Sequence, residues 1–190
     1  MKKIIMKADQ FALSEIEKYG LPSRINYETS NKKGLELSKI FKADSEIIQV
    51  GTRLMDIKLG EASAKGKIKE HLKIGAEATR EFLSKFEISD ETKERIINCV
   101  EGHHGTKRWI CKEAEICANA DCYRFLLVRN WLAFLNSLRS DNMTFEDKLK
   151  FSEEKAEEKW NIISLEICKK ELEPHYKLIK EIIAKARAKI

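Results

Sequence analysis

Proline is almost absent from this sequence, with two in 190 residues, and glycine is sparse at eight. So few helix breakers argue for long helices, because a sheet-rich chain of this size needs many more turns. No stretch approaches the roughly 18 consecutive apolar residues of a membrane-spanning helix. The apolar part of Met1 to Met6 is too short for a signal peptide. No two of the five cysteines (Cys99, Cys111, Cys117, Cys122, Cys168) stand as C-x-x-C, and their number is odd. That pattern argues against a disulfide framework or a thiolate zinc site and for buried free thiols in a reducing cytoplasm. Runs of Lys or Arg with interleaved aromatics are missing too, so a nucleic acid polymer is not an expected partner. No histidine precedes His71.

What is present is an ordered, globular composition, 43% hydrophobic and 35% charged. The formal net charge of +5 is thinly spread. Residues 1–43 carry nine Lys/Arg against five Asp/Glu, and residues 144–190 carry eleven against ten. The expected fold is all-α, in seven or eight helices. The first spans Asp9 to Lys18 and stops at Tyr19-Gly20-Leu21-Pro22. Ser30 is expected to cap a helix through Lys42, and Asp44 or Ser45 one from Glu46 to Leu59. A polar link, Glu61 to Gly66, leads to a helix from Ile68 to Phe86. Ser89 opens another that ends at His103-His104-Gly105, and a long helix from Lys112 to Arg139 follows. Thr144 with Asp147 reads as a capping box. Beyond it two apolar stripes (Leu149, Ala156, Trp160, Ile163, Ile167, then Tyr176, Ile179, Ile183, Ala186, Ile190) describe a helical hairpin broken at Pro174. This places a helical domain over residues 1–142 and a hairpin over 143–190, packed on the body or on a second copy of the chain.

Five residues stand out chemically. Asp56 lies in the otherwise apolar Leu54-Met55-Asp56-Ile57, where a carboxylate either faces water or needs a cation. His103 and His104 directly precede Gly105. A helix end there lets the chain turn and aim both imidazoles inward, although a histidine in a last turn also interacts favourably with the helix dipole. Asp121 sits among small residues in Ala118-Asn119-Ala120-Asp121-Cys122, and His71 opens His71-Leu72-Lys73-Ile74-Gly75-Ala76-Glu77. Singly, each has an ordinary structural explanation. Together they are two carboxylates and three imidazoles on successive helices, a mixed N/O set that suits Mn, Fe, Ni, Co or Zn better than Ca or Mg.

The order and surroundings of these residues resemble the HD-domain superfamily of metal-dependent phosphohydrolases. That family carries "LLHDIGK", then "H-x-x-x-G-A-E", then "HHG" at a helix end, then "ADADRL". Here Leu54 to Ile57, His71 to Glu77, His103-His104-Gly105 and Ala118 to Arg124 stand in those places, so the resemblance covers residues 25 to 130. Met55 replaces the histidine of the His-Asp pair, and Ser30 stands where an upstream histidine is expected. The resemblance implies a bundle of about five core helices with a C-terminal extension. In the family, the upstream histidine, the His-Asp pair and the last aspartate hold one metal, and the middle histidines with the bridging aspartate hold a second. Carried over, the second set is intact in Asp56, His71, His103 and His104, while the first keeps only Asp56 and Asp121. One divalent ion is therefore expected. Asp56 or Asp121 would orient a nucleophilic water, and Lys58, Lys107 and Arg108 would hold the phosphate of a small phosphorylated substrate or nucleotide. The alternative is a non-catalytic HD-like domain that binds a ligand or protein.

Overall fold

The computed structural model describes residues 1–105, 108–138 and 143–188. Among them are ten α-helices and one 3-10 turn, with no strand. They are α1 (Lys2–Tyr19), α2 (Arg24–Ile40), α3 (Ser45–Leu54), α4 (Leu59–Ala64), α5 (His71–Leu83), α6 (Asp90–Gly102), α7 (Lys112–Leu126), α8 (Val128–Ser137), α9 (Phe145–Ile162) and α10 (Glu166–Arg187), with the 3-10 turn Ile68–Glu70 ahead of α5. The all-α expectation stands, with more elements than the about five core helices of the resemblance. All five cysteines are free thiols, four of them buried.

α7 is the axis of the molecule. Every residue from Ile116 to Leu126 is buried, because α2, α3, α6, α8, α9 and α10 all pack on it. A helix enclosed on all sides is normally apolar all round. Here Asn119, Asp121 and Arg124 are enclosed as well, and each must find a partner inside the protein. α3 reaches α6 and α7 closely because Gly51 has no side chain. A Cβ there would lie 2.6 Å from Cys99 Cβ and 3.1 Å from Cys117 Sγ.

Several boundaries fall where the sequence marks them. Gly20 closes α1 in the left-handed conformation, Asp44 caps α3 through the Glu46 and Ile47 amides, and Ser89 caps α6 through Thr92. Thr144 and Asp147 form the capping box of α9. Other boundaries differ. α1 begins at Lys2 rather than Asp9, because Ile4, Ala8 and Ala12 make one buried stripe. Ser30 is buried in mid-helix and donates its hydroxyl to the Tyr27 carbonyl. It caps nothing, and α2 hides its own start because its buried face includes Asn26, Ser30, Gly34 and Ser38. The expected link 61–66 overlaps the short α4.

The long helix expected from Lys112 divides at Leu127, whose backbone is extended. Asn130 of α8 is tied to Asn26 and Thr29 of α2, a tertiary anchor without a local signature. The end expected at Arg139 lies outside the described residues. Pro174 does not break the tail but sits inside α10. The break is at 163–165, where Asn119 Oδ1 accepts from the Ser164 and Leu165 amides and its Nδ2 donates to Ser164 Oγ. Those bonds lay α9 and α10 back along α7, and Cys168, Leu172, Ile179 and Ile183 of α10 join the same core as Ile4 of α1.

Candidate metal centre

Asp56 stands in the turn after α3, His71 at the first residue of α5, and His103 and His104 directly after α6. Each offers one ligand atom, and these four atoms all lie within 4.8 Å of one another. Three ring contacts tie the imidazoles together, with centroid separations of 4.4 Å for His103–His104, 5.0 Å for His71–His104 and 6.2 Å for His71–His103. The local chain explains the convergence. Gly105 adopts φ +67°, so the chain leaves α6 sharply. The returning loop is then tied back by Asn98 to the Arg108 carbonyl and Ile110 amide, and by Trp109 Nε1 to the Gly102 carbonyl.

Two of the imidazoles are oriented by backbone carbonyls. His71 Nδ1 meets the Ile68 carbonyl at 2.7 Å and His103 Nδ1 meets that of Val100 at 2.6 Å. A carbonyl only accepts, so each Nδ1 carries the proton and each Nε2 presents its lone pair. Both Nε2 atoms are buried without a hydrogen-bond partner. His103 Nε2 lies 3.4 Å from Asp56 Oδ1. Burial holds the pKa of His71 below the ordinary imidazole value. Burial and then the neighbouring His103 push that of His104 down to about 3. Neutral imidazoles with free lone pairs are the ligand form of histidine. One carboxylate with three such imidazoles, two of them orphaned, fits a divalent ion of the Mn to Zn series.

Asp121 does not join this group. Its Oδ1 accepts from Arg124 Nη1 at 2.7 Å, and Lys159 Nζ lies 2.7 Å from its Oδ2 as an ion pair. The same Arg124 Nη1 pairs with Asp56 Oδ2, so the two aspartates flank one guanidinium where the expectation had them flanking an ion. Burial alone would raise both carboxyl pKa values. For Asp121, Lys159 and Arg124 outweigh it and leave the group at about 2. For Asp56, the Arg124 guanidinium outweighs it and holds the group well below the usual range. Arg124 falls inside the "ADADRL"-like stretch, three positions after Asp121, a spacing that puts the two side chains on one helix face. Lys159 lies 38 positions beyond Asp121, and only the packing of α9 on α7 brings it in.

Of the other candidates, Lys58 is paired with Glu15 and Glu61, Arg108 is exposed, and Lys107 lies outside the described residues. Ser30 and Met55, standing where the family resemblance expects imidazoles, line a small cavity with Tyr27, Thr52, Asp56 and Arg124. A further contributor is Glu158 of α9, whose Oε1 lies 3.3 Å from His104 Nδ1.

No protein-family model matches the chain, and no curated protein matches it in sequence. Solved structures do match. A crystal structure described as a predicted HD superfamily hydrolase from an uncultured Thermotogales bacterium is 12% identical, with TM-score 0.60, over 97% of this chain and 92% of that one. A Lactobacillus plantarum protein is 12% identical, with TM-score 0.69, over 98% and 96%. Bacillus subtilis YpgQ, solved in complex with ADP, is 13% identical, with TM-score 0.63, over 96% and 95%. The chain therefore shares its fold, over nearly its whole length, with these three solved structures, one of them described as a predicted HD superfamily hydrolase.

Proposed function

We propose that this chain is a divergent HD-type phosphohydrolase that uses one divalent ion, held by Asp56, His71, His103 and His104, to cleave a phosphomonoester or nucleotide. The observation that carries the reading is the approach of those four ligand atoms to within 4.8 Å, with two imidazole nitrogens buried and unpartnered. A bound ion of this kind supplies Lewis-acid chemistry, acidifying water and polarising a phosphoryl oxygen. The chain's own part is positional. The carbonyls of Ile68 and Val100 fix the tautomers of His71 and His103, and Arg124 fixes the plane of the Asp56 carboxylate, leaving Oδ1 toward the imidazoles. Asp121, paired to Arg124 and Lys159, acts behind Asp56 rather than beside it. Arg108, in the loop that returns after the two histidines, is the group to meet a substrate phosphate, by a bidentate contact, and Lys107, its neighbour in sequence, is a second candidate cation. Lys58 is a weaker candidate for that role, since two glutamates already hold it. The ADP complex of YpgQ supports the nucleotide arm of the proposal.

Hydrolysis of an aryl phosphate and of nucleoside phosphates, with Mn or Ni added or chelated, tests the reading. Activity is expected to require the ion and to fall by about 100-fold or more in Asp56→Asn, beyond what an outer partner of a ligand contributes. Wild type that is inert on all of these after metal loading would overturn the enzyme reading. One observation favours the second reading, an HD-like domain that binds without catalysis. Both aspartates already have buried cationic partners, so neither depends on a metal for its charge balance. That reading expects saturable binding of a metal or nucleotide with no turnover.

A further inference from the structure

The element that closes over the histidines comes from the tail. Lys159, on α9, has a fully buried side chain. Its Nζ lies 2.7 Å from Asp121 Oδ2 and 3.6 Å from Glu158 Oε1. That same Glu158 oxygen is 3.3 Å from His104 Nδ1, so one carboxylate oxygen stands between the ammonium and an imidazole of the cluster. On the other side Asp121 passes through Arg124 to Asp56, itself a member of the cluster. Lys159 therefore approaches the four-residue group along two routes, although it contributes no ligand atom to it.

Burying an ammonium is expensive, and a well-packed apolar side chain of similar volume commonly serves as well or better. Lys159 Nζ also makes no hydrogen bond of good geometry. What it supplies is a point charge. The charges around the cluster then cancel. Asp56 and Asp121 stand against Arg124 and Lys159, and Glu158 is compensated by Lys155 at 2.6 Å. A dication arriving at the histidines meets a neutral environment, in an interior where one unit charge changes an ion's affinity steeply.

We propose that Lys159 is a tethered counter-cation of the candidate metal centre, delivered by α9 to set how tightly the histidine side holds a divalent ion. The proposal rests on the metal reading given above and assigns a positioning role, not a ligand, to Lys159. It also makes α9 part of the site.

Calorimetric titration of the full chain with Mn or Ni tests it in four proteins: wild type, Lys159→Met, Asp121→Asn and the double variant. Lys159→Met leaves the surroundings one unit more negative, and affinity is expected to rise by about tenfold or more. Asp121→Asn leaves them one unit more positive and is expected to weaken binding by a similar factor. The double variant restores neutrality and should bind within about threefold of wild type, an outcome that loss of a direct Asp121 ligand would not give. A thermal melt accompanies each titration. Should Lys159→Met fail to fold, the loss in Asp121→Asn and its recovery in the double variant still read the sign. A flat series in folded proteins, or a Lys159→Met that binds no tighter than wild type, would overturn the proposal while leaving the metal reading intact. If no protein binds either ion, wild type included, both are overturned.

Discussion

At the scale of single residues, the centre is a set of groups whose protonation is fixed by burial, and this gives it a pH signature. His104 titrates at about 3 in the folded protein and near 6.5 when unfolded. Below about pH 6.5 the unfolded chain takes up a proton that the folded one refuses, so stability falls as pH drops toward 3. His71, also lowered by burial, acts in the same direction. Asp121, at about 2 in the fold, adds stability above its unfolded value near 3.9 that is lost below it. Scanning calorimetry should therefore show Tm declining steadily from pH 7 to pH 4, with a shallower decline in His104→Gln. A flat profile over that range would contradict the burial of these imidazoles. The sequence made His71, His103, His104 and Asp56 legible because their neighbours are distinctive: "HHG" at a helix end, small residues beside His71, apolar ones around Asp56. It misplaced Asp121. A carboxylate facing an ion and one facing a lysine look the same in one dimension, and the lysine lies far along the chain.

At the scale of elements, helices with local stop signals were readable and those ended by tertiary contacts were not. Gly20, Asp44, Ser89 and Thr144 act on amides within their own turn. The division at Leu127 and the turn at 163–165 depend on Asn130 and Asn119 bonding to distant segments, and Pro174 was a misleading cue because a helix held by packing can absorb one missing donor. Two substitutions probe the elements that carry the site. Gly51→Ala, on the helix that delivers Asp56, forces a methyl against Cys99 and Cys117 and should cost about 1–3 kcal/mol of unfolding free energy in denaturant titration. Thr144→Ala removes the cap of α9 and should cost about 1 kcal/mol. A neutral effect at Gly51 would mean that α3 does not lie against α6 and α7 as described.

At the scale of the whole molecule, the all-α class followed from the scarcity of proline and glycine, and among the described residues no helix is long and apolar enough to cross a membrane. What composition could not convey is that α7 is enclosed on all sides with ionised groups inside it, and that one of them, Arg124, joins the fold's centre to the candidate site through Asp56. The fold shared with the structure described as a predicted HD superfamily hydrolase extends over 97% of the chain. The central claim is that Asp56, His71, His103 and His104 form a centre for a single divalent ion. It is tested most directly by elemental analysis of the protein loaded with Mn or Ni and freed of unbound metal, wild type beside His104→Ala. The account predicts about one equivalent per chain in the wild type and a clear loss in the variant. Wild type that emerges metal-free, or a variant that retains the full equivalent, would contradict it.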